Sequence, residues 1–159
     1  MKKKFSYPLL SNAFSHADIS SGINVLKSKY ITMSKITKNF EKKFAKKLRT
    51  KYALMTNSGS SANLLAVSAL VNPLFKNKLK PGDEVIIPAV CWSTSLWPII
   101  QNNLKPIFAD VDLETFNMSI ESLKSKISSK TRAIMCVHVL GTSSNLDQIK
   151  NVIKKKKSF

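Results

Sequence analysis

The stretch "TNSGSSANLLAVSAL", residues 56–70, sets Gly59 among small hydroxyl residues immediately before an apolar run. The chain has only four glycines, so a glycine here suggests a backbone or packing requirement. If residues 51–56, "KYALMT", form a strand and the apolar run forms a helix, then Gly59, Ser60 and Ser61 lie at a strand-to-helix junction. Such a junction offers free N–H groups and the positive end of a helix dipole to an anion, with serine hydroxyls as further donors. A serine N-cap on a tight turn would explain the same residues without any ligand, and the motif alone leaves both readings open. Asp110 and Asp112, in "FADVDLETFNM", have the look of paired carboxylates. Cys91 and Cys136 stand in apolar or strand-like contexts with no second pair nearby, which argues against a zinc site and against a disulfide framework.

Elements must position these residues, and the sequence supplies an alternation of them. Ile19, Ile23 and Leu26 recur at helical spacing within residues 17–28, and Ile36, Phe40, Phe44 and Leu48 recur every four residues in "KITKNFEKKFAKKL". Further helices are expected over residues 60–71, 93–102 and 120–127, with another opening near Asn145. Strands are expected at residues 51–56, 84–88 and 106–109 and in "RAIMCVHV", residues 132–139. Short continuous apolar strands separated by helices imply a mainly parallel sheet covered on both faces. In such sheets ligands gather at the carboxyl ends of the strands, where "NSGSS" would lie.

Composition narrows the function classes. A length of 159 residues with 43% apolar content suits a globular chain with a core. The net charge of +17 invites a nucleic-acid reading. Only Arg49 and Arg132 among the 26 basic residues are arginines, however, and phosphate and base recognition favour the arginine fork. A solvated lysine-rich surface is the better account, and no nucleic-acid partner is expected. No run approaches the roughly 18 uninterrupted apolar residues of a membrane span, and the basic N-terminus lacks the apolar stretch of a secretory signal. The expectation is a cytoplasmic protein without a membrane partner.

The ordered segments "YPLL", "SKYITMS", "NFEKKFAKKL", "KYALMTNSGSSANLLAVSAL", the long run from "PGDEVIIPAVCWSTS" to "FNMSIESL", and "SSKTRAIMCVHVLGTSSNLDQI" closely resemble the N-terminal part of the DegT/DnrJ/EryC1/StrS family. The resemblance runs from about Tyr7 to Lys150. It implies an α/β fold, an incomplete fold type I aminotransferase large domain with a mainly parallel sheet flanked by helices. The domains implied are a helical segment at 1–50, part of a cofactor-binding large domain at 51–153 and a basic tail at 154–159. The cofactor implied is pyridoxal 5'-phosphate. The reaction implied is transfer of an amino group from an amino acid, typically glutamate, to a keto nucleotide-sugar by a homodimer, with the family's sugar 3-dehydratase reaction as the alternative. A non-catalytic role, docking on a full-length homologue, is a further one.

Carried onto this chain, the resemblance makes Gly59, Ser60 and Ser61 the phosphate site and puts Trp92 where an aromatic stacks on the cofactor ring, a core aromatic being the alternative. It brings His138 to the cofactor edge, a structural histidine being equally compatible. Asp110 and Asp112 match a strand-end and turn feature without a catalytic role. Ser34 departs from the family's usual glycine. The acid that faces the pyridine nitrogen and the Schiff-base lysine, or the histidine of the dehydratase branch, follow a helix matching the one near Asn145. None of the 24 lysines, 26 basic residues less two arginines, stands in the matching context, so the expectation is no catalytic residue in the chain and no turnover by it alone.

Overall fold

The structure is a computed structural model and describes residues 13–32 and 34–157. The chain divides into two compact units, residues 1–55 and 56–159. "YPLL" and Met33 lie outside the described residues.

In the first unit, α1 (His16–Lys27) opens on a capping box in which Asp18 N–H donates to Ser15 Oγ at 3.2 Å and Ser15 N–H donates to Asp18 Oδ2 at 2.8 Å. Helix α2 (Lys35–Leu48) spans the predicted residues and ends on Arg49 in the left-handed region, φ 54°. Its apolar stripe carries the stacked rings of Phe40 and Phe44, centroids 5.6 Å apart. Ser34 is the N-cap of α2 with φ −76°, an ordinary extended conformation that serine adopts without backbone strain.

Residues 51–56 do not form the predicted strand. Among the described residues they join no ladder, Leu54 and Met55 keep their side chains exposed, and the Met55 N–H donates to Glu41 Oε1 at 2.9 Å. A strand exists only as one side of a pair, and an apolar run cannot reveal whether its partner is present.

The second unit has the order α3 (Gly59–Val71), β1 (Glu84–Pro88), α4 (Ser93–Gln101), β2 (Lys105–Ala109), α5 (Ile120–Lys126), β3 (Thr131–Ile134), a single 3-10 turn (Val139–Gly141) and α6 (Leu146–Lys157). The strands form one parallel sheet in the order β2-β1-β3. All five residues of β1 are buried, as a central parallel strand covered on both faces requires. Its alternate side chains feed two cores. Val85 and Ile87 pack with Val67, Leu79, Ile99 and Leu104 on the α3 and α4 side, and Ile86 packs with Ala109, Met118, Leu123, Ile149 and Val152 on the α5 and α6 side. The expected α/β architecture is thus present. Strand β3 is shorter than predicted: Met135 N–H still reaches Ile86 O at 2.8 Å, but the Val137 carbonyl then accepts from Ser144 Oγ at 2.9 Å and the chain leaves the sheet. No described helix is long and apolar enough to cross a membrane.

At the amino edge of the sheet, the nearly buried Glu84 carboxylate accepts from Ser128 Oγ and lies 3.6 Å from Lys105 Nζ. The Ser128 hydrogen bond, aided by Lys105, holds its pKa below the ordinary 4.5 although burial opposes the shift. A depressed carboxylate pKa contributes stability that is complete above the unfolded-state value and is lost as pH falls through the folded-state value. Chemical denaturation followed from pH 7 to pH 3 should therefore show a drop in stability below about 4.5 that Glu84→Gln flattens. Ile86→Ala, which empties the centre of one core, should cost about 3 kcal/mol in the same assay at neutral pH.

Candidate functional site at the carboxyl edge

Helix α3 starts at Gly59, and its N-cap is Ser58, whose Oγ accepts from Ser61 N–H at 3.2 Å. The serine cap considered from sequence is therefore made, one residue ahead of the glycine. It engages the Ser61 amide and leaves those of Gly59 and Ser60, the first two helical positions, which have no intrahelical acceptor. Gly59 has no positive φ, and an added Cβ would meet nothing within 4 Å. Neither a turn nor internal packing demands this glycine, contrary to the sequence expectation. Both Gly59 and Ser60 are exposed, and the space over Gly59 is open.

Helix α4 follows the carboxyl end of β1, with Trp92 as its N-cap residue. Trp92 is 75% exposed and belongs to neither apolar core cluster of the described residues. Pro98 inside α4 has no N–H to give to the Thr94 carbonyl four residues earlier. That carbonyl instead accepts from Asn63 Nδ2, at 3.4 Å. The bond ties Asn63, just past the first turn of α3, to the first turn of α4, with the Ser60 turn and the Trp92 loop at the same sheet edge. Ser60, Ser61, Thr94, Trp97 and Gln101 line a shallow groove of about 230 Å³ between the two helices. Sequence reading missed Asn63, although Pro98, four residues after Thr94, was the available signal.

His138 lies just past the carboxyl end of β3 and is the residue before the 3-10 turn. Its Nδ1 accepts from Ser144 N–H at 3.0 Å, an arrangement that requires the proton on Nε2. Buried Asn117 completes the loop: its Oδ1 accepts from Val139 N–H at 3.1 Å and its Nδ2 donates to Thr142 O at 3.1 Å. These ties hold Leu140 in the left-handed region, φ 50°, with its side chain 96% exposed. Asp110 follows β2 on the same edge. Asp112 accepts from Thr115 N–H at 2.8 Å, Thr115 Oγ1 at 2.9 Å and Glu114 N–H at 3.1 Å, which lowers its pKa and makes it a turn former. Burial raises the pKa of the Cys91 and Cys136 thiols.

The model of the DegT/DnrJ/EryC1/StrS aminotransferase family matches residues 14–158. The chain belongs to this family. Among curated relatives it is 43% identical over 148 residues to a GDP-4-keto-6-deoxy-D-mannose 3-dehydratase of Escherichia coli O55:H7, a match covering 93% of this chain and 38% of the relative. It is 38% identical over 120 residues to a GDP-perosamine synthase of Escherichia coli O157:H7, covering 76% of this chain and 31% of the relative. The solved structure of the E. coli GDP-4-keto-6-deoxy-D-mannose-3-dehydratase with bound hydrated PLP superposes with a TM-score of 0.88 at 43% identity, over 94% of this chain and 38% of that one. The chain thus spans well under half the length of the curated relatives it matches, and its fold is part of the aminotransferase-type fold expected.

Asn117→Ala should speed hydrogen exchange at the Val139 amide and lower stability by about 1 kcal/mol, because it removes two hydrogen bonds to backbone groups that are half-buried or exposed. Amide-resolved exchange by NMR reads both effects.

Proposed function

We propose that the chain forms the N-terminal, cofactor-binding part of a pyridoxal-phosphate-dependent enzyme that acts in the cytoplasm on a keto nucleotide-sugar, in the biosynthesis of cell-surface polysaccharide sugars, and that it does not turn over alone. The observation that carries this reading is the pair of N-terminal amides of α3 at the exposed residues Gly59 and Ser60, tied through Asn63 to the α4 turn that follows Trp92. This donor set fits a phosphate: two amide N–H groups, the Ser60 and Ser61 hydroxyls and the positive helix end. Bound pyridoxal phosphate supplies an electron sink for a developing carbanion. The residues of this chain bind and orient it. Gly59, Ser60 and Ser61 hold the phosphate, Trp92 offers its face to the ring, and His138 borders the site with Nε2–H as a donor. Residues 51–153 contribute part of the cofactor-binding domain, and residues 1–50 meet the partner subunit of a homodimer.

Of the two family reactions, deoxygenation at C3 is favoured, because identity to the 3-dehydratase is higher than to the perosamine synthase. Amination with glutamate as donor is the second reading. The resemblance puts the ring-nitrogen acid and the reactive lysine or histidine on segments that nothing in this sequence matches, so binding rather than turnover is the role of these residues.

The cofactor part is tested by fluorescence. In a Trp97→Phe background Trp92 is the only tryptophan, since the chain has two. Pyridoxal phosphate should quench it saturably, and Ser60→Ala with Ser61→Ala should weaken binding about tenfold, the loss of one to two anion hydrogen bonds. Equal quenching in the double variant would remove the phosphate assignment. For the substrate, the chain is incubated with pyridoxal phosphate, glutamate and a GDP-linked 4-keto-6-deoxy sugar and the sugar is examined by mass spectrometry. Unchanged sugar is expected. Loss of a hydroxyl would show deoxygenation by this chain alone, and replacement of the keto oxygen by an amine would show amination.

A further inference from the structure

Five residues other than glycine have positive φ among the described residues: Lys29, Arg49, Asn103, Phe116 and Leu140. Arg49 is the C-cap of α2, and Lys29 and Asn103 directly follow the C-caps of α1 and α4. A left-handed residue is an ordinary way to end a helix. Phe116 and Leu140 have no such reason, and one buried side chain connects them. Asn117 follows Phe116, and its amide holds the Val139 N–H and the Thr142 carbonyl, on either side of Leu140. The Ser144 N–H donates to His138 Nδ1 and the Ser144 hydroxyl to the Val137 carbonyl, which closes the same turn from its other end. Four hydrogen bonds thus keep a leucine in a conformation that disfavours a side chain of its bulk. Strain held by several independent bonds marks a residue whose position matters. What is kept is position and not burial, since Leu140 is 96% exposed. The turn follows β3, the neighbour of β1, so it leaves the sheet at the same edge as Trp92.

We propose that Leu140 is a specificity-determining residue that covers the C6 methyl of a 6-deoxy nucleotide-sugar and disfavours a C6 hydroxyl. The proposal rests on the keto nucleotide-sugar reading of this edge and adds to it which sugar is taken. A 4-keto-6-deoxy hexose carries oxygen at C1 through C4, and its methyl is the one substituent that hydrogen bonding cannot recognise. A single leucine suffices to cover a methyl. It is too little for a protein interface, because His138, Gly141, Thr142 and Ser143, the other exposed residues of the turn, are polar or lack a side chain. Asparagine would adopt this backbone with less strain, so the presence of leucine is accounted for by its apolar surface. A hydroxyl set against that surface loses water and gains no partner.

The probes are GDP-linked 6-deoxymannose and GDP-mannose, which differ only by the hydroxyl at C6. Each is titrated into the full chain with pyridoxal phosphate present and followed by calorimetry and by the NMR signals of the Leu140 methyl groups. The 6-deoxy sugar should bind about tenfold more tightly, the discrimination that a methyl against a hydroxyl supplies, and should shift the Leu140 methyls. Leu140→Asn should abolish or reverse the preference while raising the midpoint of chemical denaturation, since asparagine suits the left-handed region. A residue with only a structural role would lose stability on the same change. Leu113→Asn, at a leucine 84% exposed in the loop after β2, should leave the preference intact. Equal affinity for the two sugars, or an undiminished preference in Leu140→Asn, would overturn the proposal and leave the keto nucleotide-sugar reading standing. Binding of neither sugar would overturn both.

Discussion

Strand β1 has no solvent-facing side, and the second unit is organised around that fact. A strand buried on both faces must satisfy every N–H and C=O through its neighbours and every side chain through helices above and below. Val85 and Ile87 call for α3 and α4, while Ile86 calls for α5 and α6. The parallel order β2-β1-β3 follows, because a helix must intervene between each strand and the next. With all strands running the same way, the loops after β1, β2 and β3 emerge on one edge. Trp92, Asp110 and His138 share that edge because β1, β2 and β3 are parallel.

Much of this was legible. The "EVIIP" run predicted β1 to the residue, since a doubly covered strand reads as unbroken apolar sequence. Helix α2 was equally clear from Ile36, Phe40, Phe44 and Leu48 at helical spacing. What failed was information that resides in a second segment. "KYALMT" has strand composition, but pairing depends on a neighbour that local sequence cannot name. The last residues of "RAIMCVHV" read as strand, yet Ser144 and Asn117, distant in sequence, take over their backbone groups. At the candidate site, the position of "NSGSS" at the head of α3 was legible, whereas the identity of the cap as Ser58 and the bracing by Asn63 were not. Both depend on which hydroxyl or amide wins a backbone partner.

The carboxyl-edge loops are held by means unlike those that hold the core. The two apolar clusters fix the strands and helices by burial, but the loops carry exposed side chains and gain little from it. Their geometry comes from side chains that replace missing backbone bonds. Pro98 removes one helical donor, and Asn63 supplies another to the same carbonyl. Leu140 and Gly141 take left-handed conformations that no ladder can satisfy, and Asn117, Ser144 and His138 close the turn around them.

This division of labour bears on how such an edge can change. A substitution among Ile86, Ile87 or Ile99 disturbs packing on which several elements depend, because close-packed interiors transmit a lost methylene to all their neighbours. A substitution at Asn63 or Asn117 releases one loop and leaves the sheet intact, since each amide serves a single connection. Loops braced one at a time by polar side chains can be re-aimed one at a time, while the helix end at Gly59 and Ser60 stays anchored by the Val67 contacts further along α3. A constant helix end beside independently adjustable loops is what a scaffold needs if it is to keep one set of backbone donors and vary what lies next to it.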